Sequence, residues 1–172
     1  MSALRFCADV LEQGLVCGVG VDSRPADWDE ALGADYLQDV RKGRMRRDYG
    51  LVELSFLRLS GEWLCTEISI QVHRLNSTPD PVIPGAIEGL YGEFENRVSL
   101  DSLSGLIARE GVHLASIEDQ SRDWYSRFTA EESSAIVHVV SGSNGPVGDL
   151  NAGDVWSIAI SRDYARWRLP VS

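Results

Sequence analysis

Lysine is all but missing from this chain: Lys42 stands alone, and the other fifteen basic residues are arginines. That bias reads as the codon usage of a GC-rich genome and carries no structural weight. Cysteine is scarce too. Cys7, Cys17 and Cys65 are an odd number without a CxxC spacing, which argues against a disulfide framework or a zinc knuckle and for buried free thiols. No stretch approaches the roughly 18 consecutive apolar residues of a membrane span. Met1 to Cys7 lack a charged region followed by an apolar one, and Asp9 and Glu12 interrupt early, so a secretory leader is not expected and the cytoplasm is the default compartment. Positive charge is also short: sixteen bases against twenty-six acids give a formal net charge of −10. Such a chain repels nucleic acid unless a basic patch is segregated, and it attracts and steers basic proteins.

What is present suits one domain, or two small modules sharing a core, at 172 residues with 44% hydrophobic and 24% charged content. The clearest pattern runs from Tyr49 to His73. Val52, Leu54 and Phe56 alternate with polar residues, Ser60-Gly61 breaks the run, and Leu64, Ile68, Ile70 and Val72 then lie opposite Cys65, Glu67, Ser69 and Gln71. Period-two alternation around a glycine turn predicts a β-hairpin, whose apolar face needs a cover. Before it, Leu4, Cys7, Ala8 and Leu11, widened by Phe6 and Val10, predict a helix over 3–13 closed by Gly14. An apolar run, Leu15 to Val21, leads to a second short helix with Asp22 or Ser23 as N-cap, Pro25 in its first turn and Gly33 at its end. Residues 34–48 read as an irregular connection. Three prolines between Asn76 and Gly85 mark a linker. Ile87, Leu90, Tyr91 and Phe94 have helical spacing weakened by Gly89 and Gly92. Ser99 or Asp101 caps a better helix around Leu103, Leu106 and Ile107, ended by Gly111. Strands are predicted at 112–117, 124–129, 134–140 and 155–160, with a Gly/Asn/Asp-rich loop over 141–154 and a docking tail that carries Tyr164, Trp167 and Leu169.

The order of elements recurs. Val19 to Ser23 and Val98 to Ser102 each precede a short helix, and each is followed by a connection and a hairpin, with Gly61-Glu62-Trp63 and Gly153-Asp154-Val155-Trp156 at the second strands. The expectation is an α+β fold of antiparallel sheet with short helices on one face, in two pseudo-repeats: an N-terminal helix–hairpin module over 1–80 and a C-terminal helix–sheet module over 81–172.

No catalytic motif stands out. Gly18-x-Gly20 lacks its third glycine, Ser23 standing there, and no acidic residue closes a βαβ unit. His73, His113 and His138 fall on separate predicted strands, so neither metal nor cofactor is expected. Ser133, Ser134 and Ser141 have no nucleophile-elbow context, and Asp149, Asn151 and Asp154 lack the calcium-loop pattern. Neighbouring acid pairs point apart on a helix or strand and read as solvated faces. The arginine run over 41–47 reads as pairing with Asp35, Asp39 and Asp48.

Two aromatic residues ringed by acids are the candidate contact patches: Trp28 with Asp27, Asp29 and Glu30, and Trp124 with Glu118, Asp119 and Asp123. The competing reading makes both rings core. Trp28-Asp29-Glu30-Ala31-Leu32-Gly33 followed by Arg47-Asp48-Tyr49-Gly50-Leu51-Val52-Glu53-Leu54-Ser55-Phe56 resembles the small acidic immunity proteins of bacterial polymorphic toxin systems. The helix, Leu-Gly, hairpin order also resembles the module of β-lactamase-inhibitor-like proteins, here in tandem. The resemblance implies a non-catalytic cytoplasmic inhibitor that covers a basic protein partner, a cognate toxin, with no nucleic acid or membrane involved. The alternative is a small-molecule enzyme or ligand-binding protein with a pocket between sheet and helices; a third reading is a structural subunit.

Overall fold

Two tight turns, Lys42-Gly43 and Ser60-Gly61, with positive φ at all four residues, fold the chain back on itself twice between Leu37 and Ile70. The computed structural model describes residues 2–77, 80–122, 124–142 and 144–162, without the side chains of residues 2 and 119–122. Helices α1 (Ser2–Gln13) and α2 (Pro25–Leu32) precede strands β1 (Leu37–Arg41), β2 (Arg44–Asp48), β3 (Val52–Leu59) and β4 (Glu62–Ile70). Helices α3 (Arg74–Ser77), α4 (Gly85–Tyr91) and α5 (Leu100–Ala108) follow, and then strands β5 (Leu114–Arg122), β6 (Tyr125–Ala130), β7 (Ala135–Val140) and β8 (Val155–Ser161). All eight strands join one antiparallel sheet in the order β1-β2-β3-β4-β8-β7-β6-β5. The fold is α+β. Helices and then a four-stranded meander are traced twice, and the last strand of each meander meets the other at the centre. The docking tail expected over 161–172 lies outside the described residues beyond Arg162.

One apolar cluster fills the space between sheet and helices. Val52, Leu54, Phe56, Ile68, Ile70, Val137, Ile158 and Ile160 supply the sheet side, and Phe6, Val10, Leu11, Ile87, Leu103 and Ile107 the helical side. Polar links lock α1 onto its neighbours. Tyr91 Oη donates to Asp9 Oδ2 at 2.8 Å, Arg5 bridges Asp9 and Glu110, and Glu95 accepts from the Ala3 amide at 2.9 Å. The Tyr91 hydroxyl is pushed well above the usual phenol range by its burial and by the Asp9 carboxylate it serves. Burial also pushes the Cys7 and Cys65 thiols up to about 12, so neither is a ready nucleophile near neutral pH. The three cysteines are free.

Several sequence expectations need correction. Residues 34–48 are no irregular connection but the β1–β2 hairpin, turned at Lys42-Gly43, where both residues have positive φ. Its pattern is hidden because all of β1 is exposed and because one inward position of β2 is an arginine. The N-cap of α2 is Arg24, not Asp22 or Ser23: Asp27 reaches back to the Arg24 amide at 2.7 Å, while Ser23 Oγ donates to the Gly20 carbonyl. Helix α4 forms despite Gly89, though only Ile87 of its stripe is fully buried and Leu90 is exposed.

The hairpin β3–β4 forms as expected, with one exchange of faces. Ser55 pairs with Glu67 and Phe56 with Cys65, so Thr66 is an extra residue. This bulge shifts the pleat, and Cys65 becomes fully buried while Leu64 is only half-buried. Thr66 is not left orphaned, because its hydroxyl donates to the Ser55 carbonyl at 3.2 Å.

Arg47 is the inward arginine of β2, with a side chain only 6% exposed. It donates to Asp29 Oδ1 at 2.8 Å, to the Pro25 carbonyl at 3.0 Å and to Gln38 Oε1 at 3.0 Å, and its guanidinium lies 4.1 Å from the centre of the Tyr36 ring. Three acceptors and an aromatic face offset the loss of hydration. Arg47 thereby ties β1, β2 and the start of α2 together.

Leu54→Ala or Ile68→Ala will cost about 2–5 kcal/mol in urea unfolding, and Leu64→Ala, on the far side of the bulge, clearly less. Equal losses at the three positions would contradict the register. Arg47→Ala will cost about 2–3 kcal/mol, below the ~3–5 of a fully buried pair because Asp29 keeps access to water, and Arg47→Lys will not restore it.

Candidate partner-binding surface

Trp28, the centre of the first predicted patch, is completely buried under α2. It is a core residue, and the correction has a simple cause: on a two-turn helix one position in each turn must face the sheet, and Trp28 and Leu32 take them. Of its acids, Asp27 is engaged in the helix cap and Asp29 in the pair with Arg47. Glu30 is exposed and remains available.

In the second patch Trp124 precedes β6 and is half-buried, and Glu118 is exposed on β5. Asp123 and the side chain of Asp119 lie outside the described residues. Trp124 belongs to a larger assembly than the sequence indicated. Its ring meets Tyr125 at 4.6 Å and Trp156 at 5.0 Å between centroids, both edge to face. Trp156 stacks on His73 at 4.0 Å with the planes only 3° apart, and Tyr125 meets His138 edge to face at 5.3 Å. A Cβ at Gly145 would overlap the Trp124 indole, so glycine there lets the 141–154 loop pass under the ring.

Strand register explains why these rings meet. Val137 and Ile158 point into the core; their neighbours His138 and Ser157 pair across β7 and β8 and point the other way, in line with Arg127 on β6. A second bulge interrupts this hairpin. His138 pairs with Ser157 but Val139 with Val155, and the extra residue is Trp156. The aromatic cluster therefore stands on the sheet face opposite the core. Beside it His73, Asn76, Pro146, Asp149, Leu150 and Trp156 surround a groove of about 250 Å³.

Both histidines here titrate low. Burial is the main cause for each, and Arg127 adds to it at His138, Arg74 at His73. His73 Nδ1 lies 3.3 Å from the Trp156 carbonyl oxygen, which can only accept, so Nδ1 carries the proton. Ser157 Oγ lies 3.2 Å from His138 Nδ1. A hydroxyl and a neutral imidazole at this distance are the first half of an activated nucleophile, but among the described residues no carboxylate hydrogen-bonds the imidazole to orient it. No three His, Cys, Asp or Glu side chains among the described residues converge to hold a metal.

Larger grooves lie elsewhere, and two of them bear on the arginine run. One of about 530 Å³ runs along the root of β1, between Asp35, Tyr36, Leu37, Asp48, Arg74 and Val82. Arg74 is committed there to Asp48 at 2.9 Å, to Glu53 and to the Gly50 carbonyl. The other, about 510 Å³, crosses the open face of β2 to β4 past Arg44, Arg46, Thr66 and Glu67. Of the acids expected to pair with the arginine run, Asp39 does so with Arg41 at 3.1 Å; Arg46 instead meets Glu53, and Asp48 meets Arg74.

No protein-family model matches the chain, and no curated protein or solved structure is similar enough to be matched.

The low histidines set a pH dependence. A histidine whose folded-state pKa is depressed is neutral in both states above about pH 6.5, but below it the unfolded chain binds protons the folded one refuses, so stability falls with pH. Urea unfolding at pH 7.5 and pH 5 will show this loss, at about 1.4 kcal/mol per unit of depression. His73→Gln and His138→Gln will each make it smaller; an unchanged difference in both variants would contradict it.

Proposed function

We propose that this protein is a non-catalytic protein-binding inhibitor of the immunity-protein kind, acting in the cytoplasm on a basic partner. The observation that carries the reading is the cluster of Trp124, Tyr125 and Trp156, held half-exposed on the open sheet face by Gly145 and by the bulge at Trp156. Tryptophan and tyrosine are the residues most often found at the energetic centre of protein interfaces, because each buries a large area for little entropy while a polar atom keeps a partner. A monomer gains nothing in stability by leaving three such rings in contact with water. The acidic surplus supplies the second component. Asp149 lies exposed beside the cluster, and Glu118 on β5 and Glu30 on α2 are also exposed, in a chain of formal charge −10, which favours rapid encounter with a basic surface.

Contact through such a surface divides into two parts. The charged rim accelerates encounter and is screened beyond roughly 8 Å at physiological salt, while the desolvated rings hold the complex together. The interacting protein is sought by pull-down with the product of the adjacent gene, followed by binding kinetics over a salt series. Trp124→Ala and Trp156→Ala will each raise the off-rate by about ten-fold or more with little change in on-rate. Glu118→Arg with Asp149→Arg will lower the on-rate, and salt will do the same. A complex indifferent to both tryptophans would refute this surface, and turnover of a small molecule by the isolated protein would favour the enzymatic alternative.

A further inference from the structure

We propose that β1 is a self-complementary edge through which two copies of this chain pair antiparallel, about a two-fold axis at Val40, to make one continuous sheet. The inference is independent of the inhibitor reading.

The backbone supplies the first observation. The Lys42-Gly43 turn has two residues, both with positive φ, so Arg41 and Arg44 flank it as a hydrogen-bonded pair. Alternation along an antiparallel ladder then directs the amides and carbonyls of Leu37, Asp39 and Arg41 toward β2, and those of Gln38 and Val40 outward. The β2–β3 register agrees: Tyr49 donates to the Val52 carbonyl at 2.8 Å, which turns Arg47 and Met45 to β3 and leaves Arg44, Arg46 and Asp48 for β1. Val40 thus presents an amide and a carbonyl side by side at the edge of the sheet.

Side chains supply the second. Every residue of β1 is exposed, and Leu37 and Val40 are 77% and 51% exposed, which is unusual for an edge without a cover. Edges are ordinarily guarded by charge of one sign, which repels another copy. The guard here is mixed. Asp39 and Arg41 share one face, the root of the strand carries Asp35 and Asp80 beside the Asp48–Arg74 pair, and the tip carries Arg41, Lys42 and Arg44, of which Lys42 and Arg44 form no ion pair among the described residues.

Charge then selects the register. With Val40 opposite the partner's Val40, the two exchange both backbone hydrogen bonds, and Asp39 and Arg41 each face the other's opposite charge in closely spaced pairs. The acidic root of each copy comes beside the basic tip of the other. The adjacent registers of correct hydrogen-bond parity set Asp39 against Asp39 or Arg41 against Arg41, and both are repulsive. A contact that returns onto itself in this way is isologous and closes as a dimer. Five residues bury little surface, so association is weak and concentration-dependent.

Sedimentation of the full chain from about 10 to 500 μM tests the pairing. Wild type will shift toward dimer over that range. Asp39→Arg alone and Arg41→Asp alone will each weaken the dimer by about ten-fold or more, and the double exchange, which restores both cross-strand pairs, will recover it. Val40→Pro removes an amide that the β1–β2 ladder does not use, so it will abolish dimerisation while the melting temperature stays near that of wild type. A monomer throughout would overturn the proposal and leave the edge to a foreign strand. A dimer unaffected by the single exchanges, or not recovered by the double one, would overturn it by locating the interface elsewhere.

Discussion

The pairing of β4 with β8 is the constraint on which the rest of the sheet depends. Four positions make it, Glu67 with Ser161, Ile68 with Ile160, Ser69 with Ala159 and Ile70 with Ile158, and among the described residues it is the one strand pairing between the two meanders. Everything else in each half is local, strand folding back on the strand before it. The seam joins residues separated by more than half the chain, so it carries the largest loop-closure entropy of any pairing in the sheet. What offsets that entropy is apolar burial: Ile68 against Ile160 and Ile70 against Ile158, all on the core face beneath the helices. Meeting last strand to last strand also decides where the edges fall. The ends of the sheet are the first strands of each meander, β1 and β5, and the strands richest in β-branched core residues are protected in the middle.

Cations do much of the fastening in a protein short of them. Arg47 holds α2 to β1 and β2, Arg74 gathers Asp48, Glu53 and the Gly50 carbonyl, and Arg5 joins α1 to Glu110 beyond the end of α5. Each guanidinium reaches several acceptors on different segments at once, which a lysine ammonium on a flexible stem does less well. The net charge of −10 therefore understates how far the positive residues are spent internally: the acids that remain exposed have few bases left to answer them, and the hairpin tip at Lys42 and Arg44 is an exception.

Most of the sheet was legible in the sequence where a strand has one wet and one dry face. β3, β4, β7 and β8 alternate for that reason, and α1 and α5 show their stripes. β1 and β2 were not legible, since β1 is wet on both sides and Arg47 stands where an apolar residue signals burial. Bulges were invisible for a different reason. One residue too many in a strand leaves no compositional trace, yet it exchanged Leu64 for Cys65 in the core. For the candidate surface, Trp124 and Glu118 were found by proximity in sequence, which also produced the error at Trp28: adjacency to acids says nothing about which way a helix turns its side chains. Trp156 and His73, distant in sequence, join Trp124 only through the register of the sheet.

The bulges on the two closing strands mark one difference between the halves. Both fall on the closing strand of a meander, at Thr66 on β4 opposite β3 and at Trp156 on β8 opposite β7. A bulge turns an extra side chain out of the alternation and sharpens the local twist. On β4 that side chain is a threonine, small enough to be buried and satisfied on the spot by the Ser55 carbonyl. On β8 it is an indole too large for the same niche, and it stands on the open face against His73 and Trp124. The 141–154 loop, which replaces the two-residue Ser60-Gly61 turn of the first hairpin, has room to bring Gly145 beneath Trp124 and Leu150 beside the groove. The same backbone device thus buries a threonine in one half of the sheet and presents an indole on the open face in the other, and the size of that side chain and the length of the 141–154 loop both contribute to the asymmetry.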